Sequence, residues 1–182
     1  MQPVSNDTFG PLVAYLIPGA TALVGFEPYS PVLQSWLASA PPEAPTIGGF
    51  LYLTVASLAA GMTMNAVRWA VLDTIHAWTG LRMPAFDFAR LAGREQALAL
   101  LIDIHYKHYQ LHGSMLIATA VAYVGSRSAE RITGGLGLFD LLVAILEVVF
   151  FLMSRDTLER YQRRVAQLLG TTSLPASSLD AD

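Results

Sequence analysis

Two carboxylates, Asp140 and Glu147, interrupt the apolar run from Leu136 to Met153. Seven residues is close to two helical turns, so on a helix both acids point within about 20° of one direction. An ionisable group in hydrocarbon faces protein, water or a partner rather than lipid, and it can line an ion or proton path. The same pair can instead serve packing alone, by fixing which helices sit together. Helix rise of about 1.5 Å per residue sets Glu147 level with Arg68, Asn65 and His112. The sequence therefore predicts a buried polar cluster, or ion path, of these four residues in the leaflet nearer the cytoplasm. Asp140 falls in the opposite half, where Tyr123, Thr119 and Thr54 lie at similar depth and can donate hydrogen bonds.

A second constellation is histidine-rich. His105, His108 and His112 stand at i, i+3 and i+7, one helical face, and His76 follows Asp73 by three residues. Imidazole with carboxylate is ordinary ligation for zinc or non-haem iron. These five residues are weak metal candidates, and a membrane-embedded metal-dependent enzyme or transporter is the alternative function. Against it, Lys107 and neighbouring arginines oppose a bound cation, and His and Tyr rings at a membrane boundary form an ordinary interfacial belt. No Gly-rich phosphate loop with a following Lys, no G-x-S-x-G and no HExxH occurs. No cysteine is present, which removes disulfides, thiolate metal sites and Cys nucleophiles. No cofactor is expected, and catalysis is the less favoured reading.

The elements that must position these groups are apolar. Of 182 residues, 53% are hydrophobic and only 14% charged, with a mean hydropathy of +0.45; soluble domains carry roughly 25% charge. The composition predicts an all-α, polytopic integral membrane protein, a single membrane domain over 1–170 with four spans at about 9–26, 50–72, 109–125 and 136–153. Pro18 should kink the first span, and a re-entrant first segment is the competing reading. The first ten residues lack the basic start of a signal peptide, so this segment is expected to be an uncleaved anchor. A Pro-rich connector follows, with a short interfacial helix around Val32–Leu37 and Trp36 at headgroup depth. In the second span, Ser57 and Gly61 form a small-xxx-small pair that permits close helix approach. Residues 74–107 read as a cytoplasmic interfacial segment with short helices over Ala85–Ala92 and Gln96–Ile104. The fourth span runs on into a cytoplasmic stalk helix over 154–169, and 171–182 reads as a disordered tail.

On the stalk, Leu158, Tyr161, Val165 and Leu168 make two heptads of a coiled-coil-like seam. The stripe either docks a partner, with Arg160, Arg163 and Arg164 beside it, or lies against the protein's own cytoplasmic face. Nine Lys and Arg residues fall on one side of the four-span arrangement and two on the other. The positive-inside rule then places both termini in the cytoplasm, and the composition suits a bacterial inner (plasma) membrane. Expected partners are membrane lipid, further copies of the chain and a cytoplasmic protein. Net charge of −3 without a basic face speaks against direct nucleic-acid binding. The leading expectation is a small homo-oligomeric inner-membrane protein acting as a pore, or as a membrane sensor or scaffold, in the manner of a stress, toxin or antiphage-defence component.

Overall fold

A computed structural model describes residues 6–37, 47–129 and 137–170. The expected disordered tail, the connector's Pro41, Pro42 and Pro45, and Arg131 all lie outside the described residues, as do the side chains of 6–13. Every regular element among the described residues is helical: α1 (Asn6–Phe26), α2 (Pro31–Leu37), α3 (Ile47–Trp78), α4 (Glu95–Leu101), α5 (Lys107–Ala129) and α6 (Leu138–Leu169). Two 3₁₀ turns, Glu27–Tyr29 and Phe88–Leu91, and a π-helical segment, Ile102–Tyr106, join them. One described helix, α3, is long and apolar enough by length and composition to cross a membrane. The apolar half of α6 is interrupted by Asp140 and Glu147 and meets Arg155 within 18 residues, and α5 opens with His108, Gln110 and His112.

Alpha-helix α1 is continuous through Pro18, which is fully buried. It lies between α3 and α5, and small residues set how near it comes. A methyl group added to Gly19 would stand 1.6 Å from the Ser57 carbonyl oxygen, and one added to Gly61 would stand 1.9 Å from the Tyr15 carbonyl oxygen. The Ser57–Gly61 pair thus serves contact with α1. At the other end, Gly25 meets the backbone at Val121 and Ala122, and Gly125 meets the Gly25 backbone. Helix α2 forms over the expected residues, opened by the Ser30 hydroxyl accepting from the Leu33 amide at 3.3 Å. Its Trp36 ring stacks on Tyr52 at 6.0 Å.

Three boundaries differ from expectation. The π segment welds α4 to α5, so 95–129 is one helical column rather than an interfacial helix followed by a short span. Helix α5 continues past the expected end at 125 to Ala129, which puts Arg127 in its last turn. Of the expected helix over Ala85–Ala92, only the turn Phe88–Leu91 forms, with the Asp87 carboxylate accepting from the Ala89 amide at 3.2 Å.

Helix α6 divides into two environments. Between Leu138 and Met153, ten large apolar residues are exposed, because this half packs chiefly along α5. From Ser154 onward it is folded in: Leu158, Tyr161, Val165 and Leu169 are buried with Tyr109 against Leu81, Phe86, Leu91 and Leu98. Of the two destinations open to the stripe, the packing is that against the chain itself, so its residues are not a docking face for a partner. Leu158, Tyr161 and Val165 are covered by the chain's own 81–106 segment and offer nothing to a second protein. Two arginines of that segment close the helix end: Arg94 donates to the Leu168 carbonyl, and the Arg90 guanidinium lies beside Gly170 (φ 77°). Cations at a helix C-terminus complement its dipole. Replacing Val165, 1% exposed, by Asp places a charge with no counterion in this cluster and should cost about 3 kcal/mol or more. Thermal unfolding of the purified protein reads the loss directly; an unchanged melting temperature would contradict the packing described.

Candidate functional site

Arg68 is the most enclosed Lys or Arg of the described chain, 2% exposed about two-thirds of the way along α3. Its guanidinium donates to the Asp73 carboxylate at 2.8 Å and to the Asn65 side chain at 3.1 Å, and it lies 4.7 Å from the centre of the Tyr109 ring. The Tyr109 hydroxyl donates to the same Asp73 oxygen. Gly113 makes room for the arginine stem: an added methyl would fall 2.6 Å from Arg68 Cδ. This is a closed structural network that ties α3 to α5.

Glu147 is not part of it. Sequence depth put Glu147, Arg68, Asn65 and His112 together; the structure joins only Arg68 and Asn65, with Asp73 as the acid. Equal depth says nothing about which way a helix is rotated, and Asp73 sits within reach on the same helix. The Glu147 carboxylate accepts from the Thr119 hydroxyl at 2.6 Å. His112 lies instead beside Phe150, at 6.5 Å between ring centres, and beside His108 at 6.4 Å.

Asp140 is fully engaged. It accepts from Tyr123 at 2.7 Å, from Arg127 Nε and Nη2 at 2.9 and 2.5 Å, and from the Gly137 amide at 2.5 Å. Tyr123 is one of the three donors expected. Thr119 serves Glu147, and Thr54 bonds within its own helix to the Phe50 carbonyl. Arg127, two residues past the expected end of the third span at 125, is the base that the depth argument leaves out. Through the Gly137 amide, the Asp140 carboxylate also caps the start of α6, where negative charge suits the dipole.

The histidines disperse. A π turn inserts an extra residue relative to an α-helix, so His105, inside that turn, leaves the face shared by His108 and His112. It lines a charged groove of about 460 Å³ with Asp156, Glu159, Arg160, Arg163 and Arg164. Arg160 and Arg163 are exposed there and pair along the helix with Asp156 at 2.9 Å and Glu159 at 2.5 Å. His76 is fully buried at the end of α3, with Nε2 3.3 Å from the Ser154 hydroxyl and its ring 5.3 Å from Phe151. It ties α3 to α6, as does Arg155, which donates to the Thr79 hydroxyl at 2.6 Å. Asp73, the fifth metal candidate, is held by Arg68. Among the described residues no three His or acidic side chains gather as a metal would require. Within the stalk cluster, burial together with the nearby Tyr106 phenol raises the pKa of Tyr161, keeping it neutral.

Among the described residues, two apolar grooves open beside α5. Between α5 and α6 runs a groove of about 500 Å³ with Ala120, Tyr123 and Val124 on one wall and Leu141 and Ala144 on the other. Asp140 and Glu147 stand at its two ends. A companion groove of about 530 Å³ lies between α1 and α5 and shares Ala120 and Val124. These features define an all-helical protein with a candidate membrane-spanning helix and a carboxylate in a lateral apolar groove. No family model, curated protein or solved structure matches the chain.

Proposed function

We propose that this is a four-span homo-oligomeric protein of a bacterial plasma membrane, with both termini cytoplasmic, that conducts cations between protomers past Glu147. The observation that carries the reading is Glu147 itself. It is a half-buried acid with one hydroxyl donor, on the α6 face that packs along α5, at one end of the lateral groove between the two helices. The ten exposed apolar residues around it favour lipid or another copy as their neighbour, since soluble monomers rarely expose contiguous patches above a few hundred Å². The nine-to-two distribution of Lys and Arg supports the orientation. Asp140 is neutralised by Arg127, so a path between copies would carry a single ring of free acid, at Glu147, rather than two stacked rings.

The purified protein in planar bilayers should conduct. Glu147→Gln should change cation-over-anion selectivity several-fold while Asp156→Asn leaves it unchanged. Wild-type currents in the Glu147 variant would remove the acid from the path.

A second reading, a membrane sensor or scaffold, is favoured by the charged groove around His105, Arg160 and Arg164 on the expected cytoplasmic side. On that reading no conductance appears, and a cytoplasmic protein co-purifies with the wild type but not with an Arg160→Glu, Arg164→Glu double variant. Both sites are exposed, so the fold should survive the change.

A further inference from the structure

We propose that the α5–α6 groove is a binding site for a lipophilic organic cation, whose charged centre sits at Glu147 and whose apolar body lies along Ala120 and Ala144. This rests on the reading of α5 and α6 as membrane-spanning helices with Glu147 in the groove between them, but not on conduction.

The two acids of the groove differ in how far they are satisfied. Asp140 has a guanidinium, a phenol and a backbone amide. Glu147 has the Thr119 hydroxyl alone, and that single proton is also within reach of the Met115 and Leu116 carbonyl oxygens, at 2.8 and 3.2 Å. No Lys, Arg or His is paired with Glu147 among the described residues. An anion in apolar surroundings calls for a counterion or a proton. The groove supplies charge complementarity for a monocation and little else polar.

Its shape selects the kind of cation. Small side chains on both walls, Ala120 and Ala144, leave about 500 Å³ open, within the range of small-molecule sites, roughly 300–1,000 Å³. Inorganic divalent ions are poorly served: Ca²⁺ takes about 6–8 oxygen ligands and Mg²⁺ demands an octahedral set, and one carboxylate with one hydroxyl provides neither. Tyr123 lines the Asp140 end of the same groove and offers aromatic surface to the apolar body of the ligand. Leu141 and Val124 at the margin are 57% and 60% exposed, so the mouth opens sideways and a hydrophobic cation can enter from the bilayer.

The test is equilibrium binding of tetraphenylphosphonium to the detergent-purified full chain, with tetraphenylborate as a probe of the same shape and opposite charge. Saturable binding of the cation near one per protomer is expected, with at least tenfold weaker binding of the anion. Glu147→Gln should weaken cation binding at least tenfold, and Ala144→Trp, which fills the groove, should abolish it. Should the Trp variant fail to fold, the near-isosteric Gln variant still decides the matter. Absence of saturable binding to the wild type, equal binding of the borate, or a Gln variant within twofold of wild type would each overturn the site. Binding without bilayer current would leave this site standing and sink the conducting function; current without binding would do the reverse.

Discussion

Asp73→Asn should be the most destabilising polar substitution in the described chain. The change leaves Arg68, 2% exposed and unable to lose its proton, without its carboxylate. Breaking a buried ion pair by removing one partner costs about 3–5 kcal/mol. Asp73 is itself 33% exposed, so some water reaches the pair and the lower end of that range, about 3 kcal/mol, is expected. Arg68→Met should cost less, because the orphaned acid can turn to solvent and Tyr109 still donates to it. The double variant should melt closer to Arg68→Met than to Asp73→Asn, since it leaves no buried charge. Glu147→Gln gives the contrast. Its amide oxygen still accepts from Thr119, and stability should stay within about 0.5 kcal/mol. A melting series of these four variants separates an acid that holds the fold from one free for another task. If Asp73→Asn melts with the wild type, the Arg68 network is not an anchor.

That assignment of roles was only half legible in the residues. The polar set within the apolar runs was visible because charges stand out there, and the close approach at Ser57 and Gly61 was visible because small residues at i and i+4 have few other uses. Which acid meets which base was not. Depth along a helix follows from counting, but rotation about its axis depends on neighbours, and Asp73, one residue past the expected second span, reads from sequence as a weak metal candidate rather than as the partner of Arg68. The π turn at Ile102–Tyr106 left no clear signature, and its one-residue shift broke up the His105–His108–His112 face. Sequence spacing left the destination of the stalk stripe open, because an apolar face that docks a partner and one that docks the same chain have the same period. Leu81, Phe86, Leu91 and Leu98 are the residues that close it. Their irregular spacing across turns hid them as a docking surface. The Arg127–Asp140 pair was missed for a simpler reason: the helix runs beyond the residue where its apolar character fades.

Gly61→Ala should detach α1 from the rest of the protein. The added carbon would meet the Tyr15 carbonyl oxygen at 1.9 Å, and the neighbouring contact of Gly19 with the Ser57 carbonyl is as tight. Both obstacles are backbone, so no side-chain rotamer relieves them and the helices must part. Overpacking in a well-filled core costs about 1–3 kcal/mol and occasionally more. Here the shift is passed to the second crossing, where Gly125 faces the Gly25 backbone, so the upper end, about 3 kcal/mol, is expected. Ala66→Leu, on the exposed side of the same helix, should be silent. Melting of the two variants measures the difference, and limited proteolysis locates it. Freed α1 exposes the turn at Glu27–Tyr29 to cleavage, while the cap around Tyr161 and Leu169 stays protected because it is built from α6 and 81–109. Equal protection of both regions in Gly61→Ala would mean that α1 is held by something other than backbone-to-backbone contact. Cleavage throughout would mean that α1 and the cap unfold as one unit, with α5, which α1 packs against and which carries Tyr109 into the cap, transmitting the disturbance.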